Sequence, residues 1–499
     1  MTLAETEELL QPVRDLLRQE EPQLALDKLN FLVHAHTFAP EAQWLIYDHY
    51  ATCYLKLVDL LRWRQYAWAS ITAATGQPRG RQQTNFSDYL FMLHYFPDVS
   101  DAELSQQHFL YQQFADATPK FRHPLSRHQH EKLRIGYLAS MFSENVVSLF
   151  SIQLLAAYDR ERFEVYTYST RAREDQLTEF LQPYVKKMTV FQPGQTAEER
   201  AQMIYDDEID ILFDLEVHAG GGLTMMLMCA KPAPVQVAGI GYMSTSGTDV
   251  VDAFLGDSYC DPPGLHDGEF RETIWRLPHT HFCYTPSERV LRCEEKNYVP
   301  HTPIVFGSFN NVFKITDEML GAWREILARV PESRMLIKNS SHRTGALPHL
   351  RRQLQDAGMP MDRIETEDAT GEYLQRYADV DIMLDTYPYT GGGTTCESLY
   401  MGVPIIARYG RRHGARFSYS IMQNVGVGDL CCATLQEYVE KAVALAQDRE
   451  LLTALHQQLR GMMQRSPVMA AGPYVRAVEA GYERLWQQWL ARAQAGKQA

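Results

Sequence analysis

A chain of 499 residues, 45% hydrophobic and 22% charged, has the composition of a soluble protein with two or three cored domains. Its formal charge of −14 argues against a large nucleic-acid footprint, which needs dense Lys and Arg, but allows an anionic small molecule held by a few local donors. Eight scattered cysteines with no Cys-x-x-Cys pair signal neither a zinc site nor a redox motif and fit a reducing cytosol. No apolar run reaches the ~18 residues of a membrane span. The acidic start Met1-Thr2-Leu3-Ala4-Glu5 is unlike a secretory leader, so the expected location is cytoplasmic.

Residues 1–125 read as an all-α domain, with leucines at helical spacing from Leu9 to Leu32 and breaks near Pro40, residues 76–80 and Pro97. No 34-residue period recurs, so a repeat array is not supported. Residues 119–130, rich in Pro, His and Arg, read as a linker. From residue 126 to 297, short apolar runs at 134–138, 163–168, 188–191, 209–215, 235–240 and 250–255 alternate with helical stretches. That is the pattern of parallel βαβ units. The pattern restarts over 298–470, with strands at 304–308, 334–337, 364–366, 382–384 and 403–407. Residues 471–499 form a last amphipathic helix and tail carrying Trp486 and Trp489, expected to close back over the first α/β domain. The fold class is therefore α/β, two Rossmann-like domains facing a cleft behind an all-α N-terminal domain.

Motif elimination narrows the chemistry. There is no Gly-x-Gly-x-x-Gly after either first strand, no P-loop, no Gly-x-Ser-x-Gly elbow and no His-Glu-x-x-His helix. What remains is the stretch 381–407, in which an apolar strand runs into Gly391-Gly392-Gly393-Thr394-Thr395 and then a short helix. A strand feeding such a helix start gathers free N–H groups and the positive dipole end at one point, which suits a diphosphate. Thr394 or Thr395 is expected to cap a helix over 396–401, and Glu397 stands one turn in, where a carboxylate can meet a ribose. Lys314 follows the first strand of the same half at a strand-to-helix junction, where its ammonium can offset charge on a departing phosphate. Taken alone, a glycine triplet is more often a plain turn.

Five segments together resemble the O-GlcNAc transferase/SPINDLY family of glycosyltransferases (family 41): Phe309-Asn-Asn-Val-Phe-Lys-Ile315, residues 381–404, Lys231-Pro-Ala-Pro-Val-Gln236, Gly241-Tyr-Met-Ser-Thr-Ser-Gly247 and Leu277-Pro-His-Thr280. The resemblance covers about residues 133–465. It implies a GT-B fold, inverting transfer from a UDP-sugar (most commonly UDP-GlcNAc) to Ser or Thr of a protein acceptor, and no metal or other cofactor. By the same resemblance Lys314 is the diphosphate lysine, Asn311 falls where the family often has Gln, and the Gly392 to Thr395 loop matches the phosphate contacts. Glu397 stands for a ribose-binding aspartate and Tyr373 for a base-stacking histidine. Asn310 and Gly391 complete the expected donor site.

Departures concern the sugar end. Asn145 stands near the place of a histidine once proposed as base, and an amide is no general base. Met243 replaces a proline in the loop beside the sugar, next to Gly241 and Tyr242. His218, ending a strand before a glycine loop, is the candidate base or sugar contact, and His279 a candidate sugar-side contact. Two alternatives stay open: a UDP-glucose-dependent N-glucosyltransferase, and a non-catalytic partner subunit or chaperone, which Asn145 and Thr370 favour. The helical domain is the candidate surface for acceptor protein or for homo- or hetero-oligomerisation. No nucleic-acid partner is expected.

Overall fold

A computed structural model describes residues 1–73, 75–293, 298–340 and 346–495. Its first sheet holds β1 Leu133–Ala139, β2 Phe163–Ser169, β3 Lys187–Val190, β4 Ile211–Asp214, β5 Val235–Gly239, β6 Ala253–Asp257 and β7 Thr273–Leu277. All pairings are parallel, in the order β3-β2-β1-β4-β5-β6-β7. The second sheet holds β8 Val305–Ser308, β9 Arg334–Lys338, β10 Ile364–Glu367, β11 Ile382–Leu384, β12 Ile405–Arg408 and β13 Cys431–Cys432. It is parallel too, ordered β10-β9-β8-β11-β12-β13. Crossover helices cover both faces, which is why β4 and β11 are buried along their whole length and read as unbroken apolar runs. In each sheet the strand order reverses beside the first strand, and the crevice at the strands' carboxyl ends opens there.

Among the described residues eight α-helices between Leu3 and Asp116 form the N-terminal domain, neighbouring helices packing on one another around Trp44, Trp63, Phe86 and Leu90. Side-chain caps from Thr2, Asp59 and Ser100 start three of them. This domain joins the first sheet through buried polar pairs. The Ser87 hydroxyl meets His218 Nδ1 at 3.0 Å, and the Tyr242 hydroxyl meets His108 Nε2 at 2.7 Å. It also touches the second domain, where Arg412 pairs with Asp101.

The C-terminal helix Ala471–Ala495 lies against the first sheet, not the second from which it emerges. Tyr482 and Tyr137 share a hydrogen bond of 2.9 Å, and Glu479 accepts from the Asp159 backbone at 2.7 Å. Gly481 is needed there, since a Cβ would stand 1.7 Å from the Trp275 ring. Trp486 is buried and stacks on Trp489, and both rings pack on His128. The two α/β domains are bonded across their boundary: His413 Nδ1 lies 2.8 Å from Asp261, and the Ser420 hydroxyl donates to Asp257 at 2.8 Å.

Several elements differ locally from expectation. The run 250–255 becomes a strand only from Ala253, because Val250 still belongs to the preceding turn. The segment leading into β11, read from the sequence as a helix over 371–377, is a 3-10 helix over Tyr373–Asp379. The glycine-loop helix spans Gly393–Tyr400 with Gly392 at its N-cap, and no threonine side chain caps it. Among the described residues no helix is long and apolar enough to cross a membrane.

Candidate active site

Two loops leave the carboxyl ends of β8 and β11 at the second sheet's reversal point, and one buried carboxylate ties them together. Asp385, directly after β11, accepts from Asn310 Nδ2 at 3.1 Å, from the Gly391 N–H at 3.0 Å and from the Ser418 hydroxyl at 2.5 Å. Asn310 in turn accepts the Thr394 hydroxyl at 3.1 Å. The loop after β8 is therefore locked to the helix start after β11. Burial raises the Asp385 carboxyl above its ordinary range, opposed by the Ser418 hydrogen bond and by Lys314.

Lys314 ends a 3-10 turn, Val312–Lys314, that Asn311 starts by accepting the Phe313 N–H at 3.1 Å. Its Nζ donates to the Thr390 carbonyl at 3.1 Å and lies 3.7 Å from the centre of the Tyr389 ring. Burial lowers its pKa to about 8, against the pull of Asp385. One turn inside the Gly393 helix, Glu397 accepts the Tyr373 hydroxyl at 2.5 Å and the Tyr377 hydroxyl at 3.4 Å. Burial pushes its carboxyl up to about 7.

These groups face a cleft of about 480 Å³ between the two α/β domains. Asn310, Asn311, Lys314, Tyr373, Gly392, Gly393, Thr394 and Glu397 line its second-domain wall, with Thr370 at the rim, while Gly241, Val146 and Val147 belong to the opposite wall. Gly393 permits the close approach of the walls, because a Cβ there would sit 2.7 Å from the Val146 side chain. An ammonium, a helix N-terminus and a carboxylate thus lie in one cavity large enough for a nucleotide-sized ligand.

The remaining sequence-based candidates fall elsewhere. His218 is fully buried away from the cleft, its Nδ1 on the Ser87 hydroxyl and its Nε2 2.9 Å from the Ser246 carbonyl. Donation to that carbonyl fixes the Nε2–H tautomer, and burial drives its pKa down to about 3. It fastens the helical domain to the first sheet, and the expectation that it faces the cleft is corrected. Asn145 caps the helix Val146–Ala156, accepting from the Val147 and Ser148 N–H groups. Tyr242 and Met243 are buried, Met243 against Gly414, and His279 is exposed outside the cleft lining. Gly391 lies behind the cleft surface, and the Thr395 hydroxyl turns inward to Ser418 at 2.9 Å.

Sequence reasoning passed over Asp385, Tyr389 and Lys338. Lys338 ends β9 on the cleft wall, almost fully buried, and bonds Glu367 at 3.0 Å. A lysine closing an apolar strand was the available signal.

Two parallel Rossmann-like sheets facing a single cleft, preceded by a helical domain, are a GT-B architecture. A bacterial O-GlcNAc transferase from Thermobaculum terrenum has the same fold, with a TM-score of 0.80 over 99% of both chains at 24% identity. The model of glycosyl transferase family 41 matches residues 112–285 and 283–478, and the chain belongs to that family. It is similar to a protein of Petunia hybrida described as a probable UDP-N-acetylglucosamine–peptide N-acetylglucosaminyltransferase SPINDLY, at 32% identity over 80% of this chain and 44% of the relative. The Arabidopsis thaliana protein of the same description is 34% identical over 72% of this chain and 40% of its own length. The chain thus spans less than half the length of these relatives.

Proposed function

We propose that this protein transfers GlcNAc from UDP-GlcNAc to a Ser or Thr hydroxyl of a protein, with inversion at the anomeric carbon. The observation that carries the reading is the Lys314 ammonium standing in the same cleft as the glycine-loop helix start. The descriptions of the plant relatives support the donor and the acceptor class.

In this reading the diphosphate lies between Lys314 and the first turn of the Gly393 helix, where cation and helix end both favour negative charge. Asn310 and Asn311 border it, Glu397 accepts from the ribose, and the Tyr373 ring lies beside the base. The acceptor oxygen attacks C1 from the face opposite the diphosphate. The C1–O bond to the phosphate breaks with its electron pair leaving on UDP, and the hydroxyl proton passes to solvent water. Charge grows on the departing phosphate oxygen, so a cation already fixed there is worth more in the transition state than in the ground state.

Lys314→Ala is expected to reduce transfer by roughly 10²–10³-fold, the scale of losing one preorganised charge-stabilising donor, with an unchanged melting curve. Near-normal turnover would overturn the reading. Thermal-shift screening of UDP-GlcNAc, UDP-glucose and UDP-galactose identifies the sugar. A response to none of them would favour a non-catalytic partner subunit.

A further inference from the structure

Lys314 is held in a place that is hostile to an ammonium. Lys314 is partly buried in the cleft wall, and one donated hydrogen bond, to the Thr390 carbonyl, replaces part of the hydration the cation gives up there. The face of the Tyr389 ring, 3.7 Å from Nζ to its centre, supplies a second attraction through its quadrupole. The ring is itself held from a distance in sequence. Tyr95 of the helical domain packs against it at 5.7 Å between centroids and also meets Phe313, the neighbour of Lys314, at 6.3 Å. His94 lies 6.5 Å from the same ring, and Phe417 closes the other side at 6.2 Å.

We propose that Tyr389 is a positioning residue that keeps Lys314 charged and aimed into the cleft, and that the helical domain, through His94 and Tyr95, holds Tyr389 in that place. The N-terminal domain is then a structural part of the donor site. Asp385, beyond the same loop, is the charged group that acts on Lys314, and it favours the ammonium. His94 and Tyr389 are both kept neutral by burial, and Tyr95 is the remaining titratable group packed against the ring from the helical side. Tyr389 therefore stabilises the cation by its ring face, without a counter-charge of its own.

The inference rests on Lys314 serving the diphosphate, but its test reads the lysine directly and needs no donor. The rate at which acetic anhydride labels Lys314 is followed against pH by peptide mass spectrometry in the full-length protein, with a thermal melt as fold control. Tyr389→Leu is expected to shift the titration of Lys314 down by about one pH unit, the tenfold scale of a desolvated cation–π contact. Tyr389→Phe keeps the ring and is expected to titrate within about 0.3 unit of wild type. Tyr95→Leu, on the helical domain, is expected to shift the titration in the same direction by less, and it keeps the test alive should Tyr389→Leu not fold.

An unshifted titration in both leucine variants would overturn the proposal, as would a Phe variant that behaves like the Leu variant. An upward shift would overturn it too, since the ring would then act only by excluding water. Loss of UDP binding in wild-type protein would instead sink the functional reading and leave the titration result standing.

Discussion

At Glu397, ligand binding and stability pull in opposite directions. In the folded chain its carboxyl loses its proton near pH 7, against an ordinary value of 4.5, because burial penalises the charged form. The folded state therefore holds an extra proton between those values, so stability falls as pH rises through that window. A ribose hydroxyl is bound best by the ionised form, which accepts without competing as a donor. Glu397→Gln is accordingly expected to melt about 3 °C higher than wild type at pH 8 without ligand, with the gap closing at pH 5. The same variant should bind UDP more weakly at pH 8. A melting difference independent of pH would show that the carboxyl is already ionised at pH 5. His218 makes the opposite case, a buried histidine whose two ring nitrogens are both engaged in contacts that join domains and loops. His218→Ala leaves the Ser246 carbonyl and Ser87 hydroxyl buried without their partner. The expected loss is about 2–4 kcal/mol of stability by denaturant titration, with the pH profile of kcat unchanged. A displaced acid limb would return His218 to the chemistry.

At the scale of elements, the glycine loop works because Asp385 organises it. Its oxygens collect an amide N–H, a side-chain amide and a hydroxyl from three separate segments, and each of these is a donor. Asp385→Asn would place an NH₂ group among those donors and leave at least one buried donor unpaired. The expected cost is about 1–3 kcal/mol in stability, together with weaker UDP binding as Asn310 and Gly391 lose their common anchor. Calorimetric titration with UDP checks this, and wild-type affinity in a destabilised variant would separate the carboxylate from the site. The strands around this loop were legible because a parallel strand covered on both faces is a short continuous apolar run, as at Ile382–Leu384. The two-residue β13 is too short to leave such a trace. Capping by Thr395 was the natural local expectation, yet its hydroxyl found Ser418, 23 residues on. His218 was misread for the same kind of reason: its partner Ser87 lies 131 residues earlier, in another domain. Glu397, Lys314 and Gly393 were readable since strand-end position alone brings them to the cleft.

The whole molecule is three domains that share one apolar core cluster and are tied in addition by buried polar bonds. Asp261 accepts from His266 of its own domain and from His413 across the boundary between the α/β domains, and the histidines hold its carboxyl far below its usual range despite burial. Tyr474, at the start of the last helix, donates to the His281 carbonyl at 3.1 Å, and Arg412 reaches the helical domain. Bonds of this kind leave no domain free to unfold without stranding buried partners in its neighbour. Such coupling sets the size of the thermal response to ligand. UDP at a hundred times its Kd contributes about 2.7 kcal/mol. If all 499 residues melt as one unit, the unfolding entropy is about 1 kcal/mol/K, and the midpoint rises by about 2–3 °C. If the donor domain melted alone, its roughly 170 residues would give about 0.36 kcal/mol/K and a rise near 7 °C. Calorimetry with UDP is expected to show one transition and the smaller shift. Two transitions, or a rise near 7 °C, would mean that the buried polar bonds across the boundaries, His413–Asp261 among them, do not couple the domains.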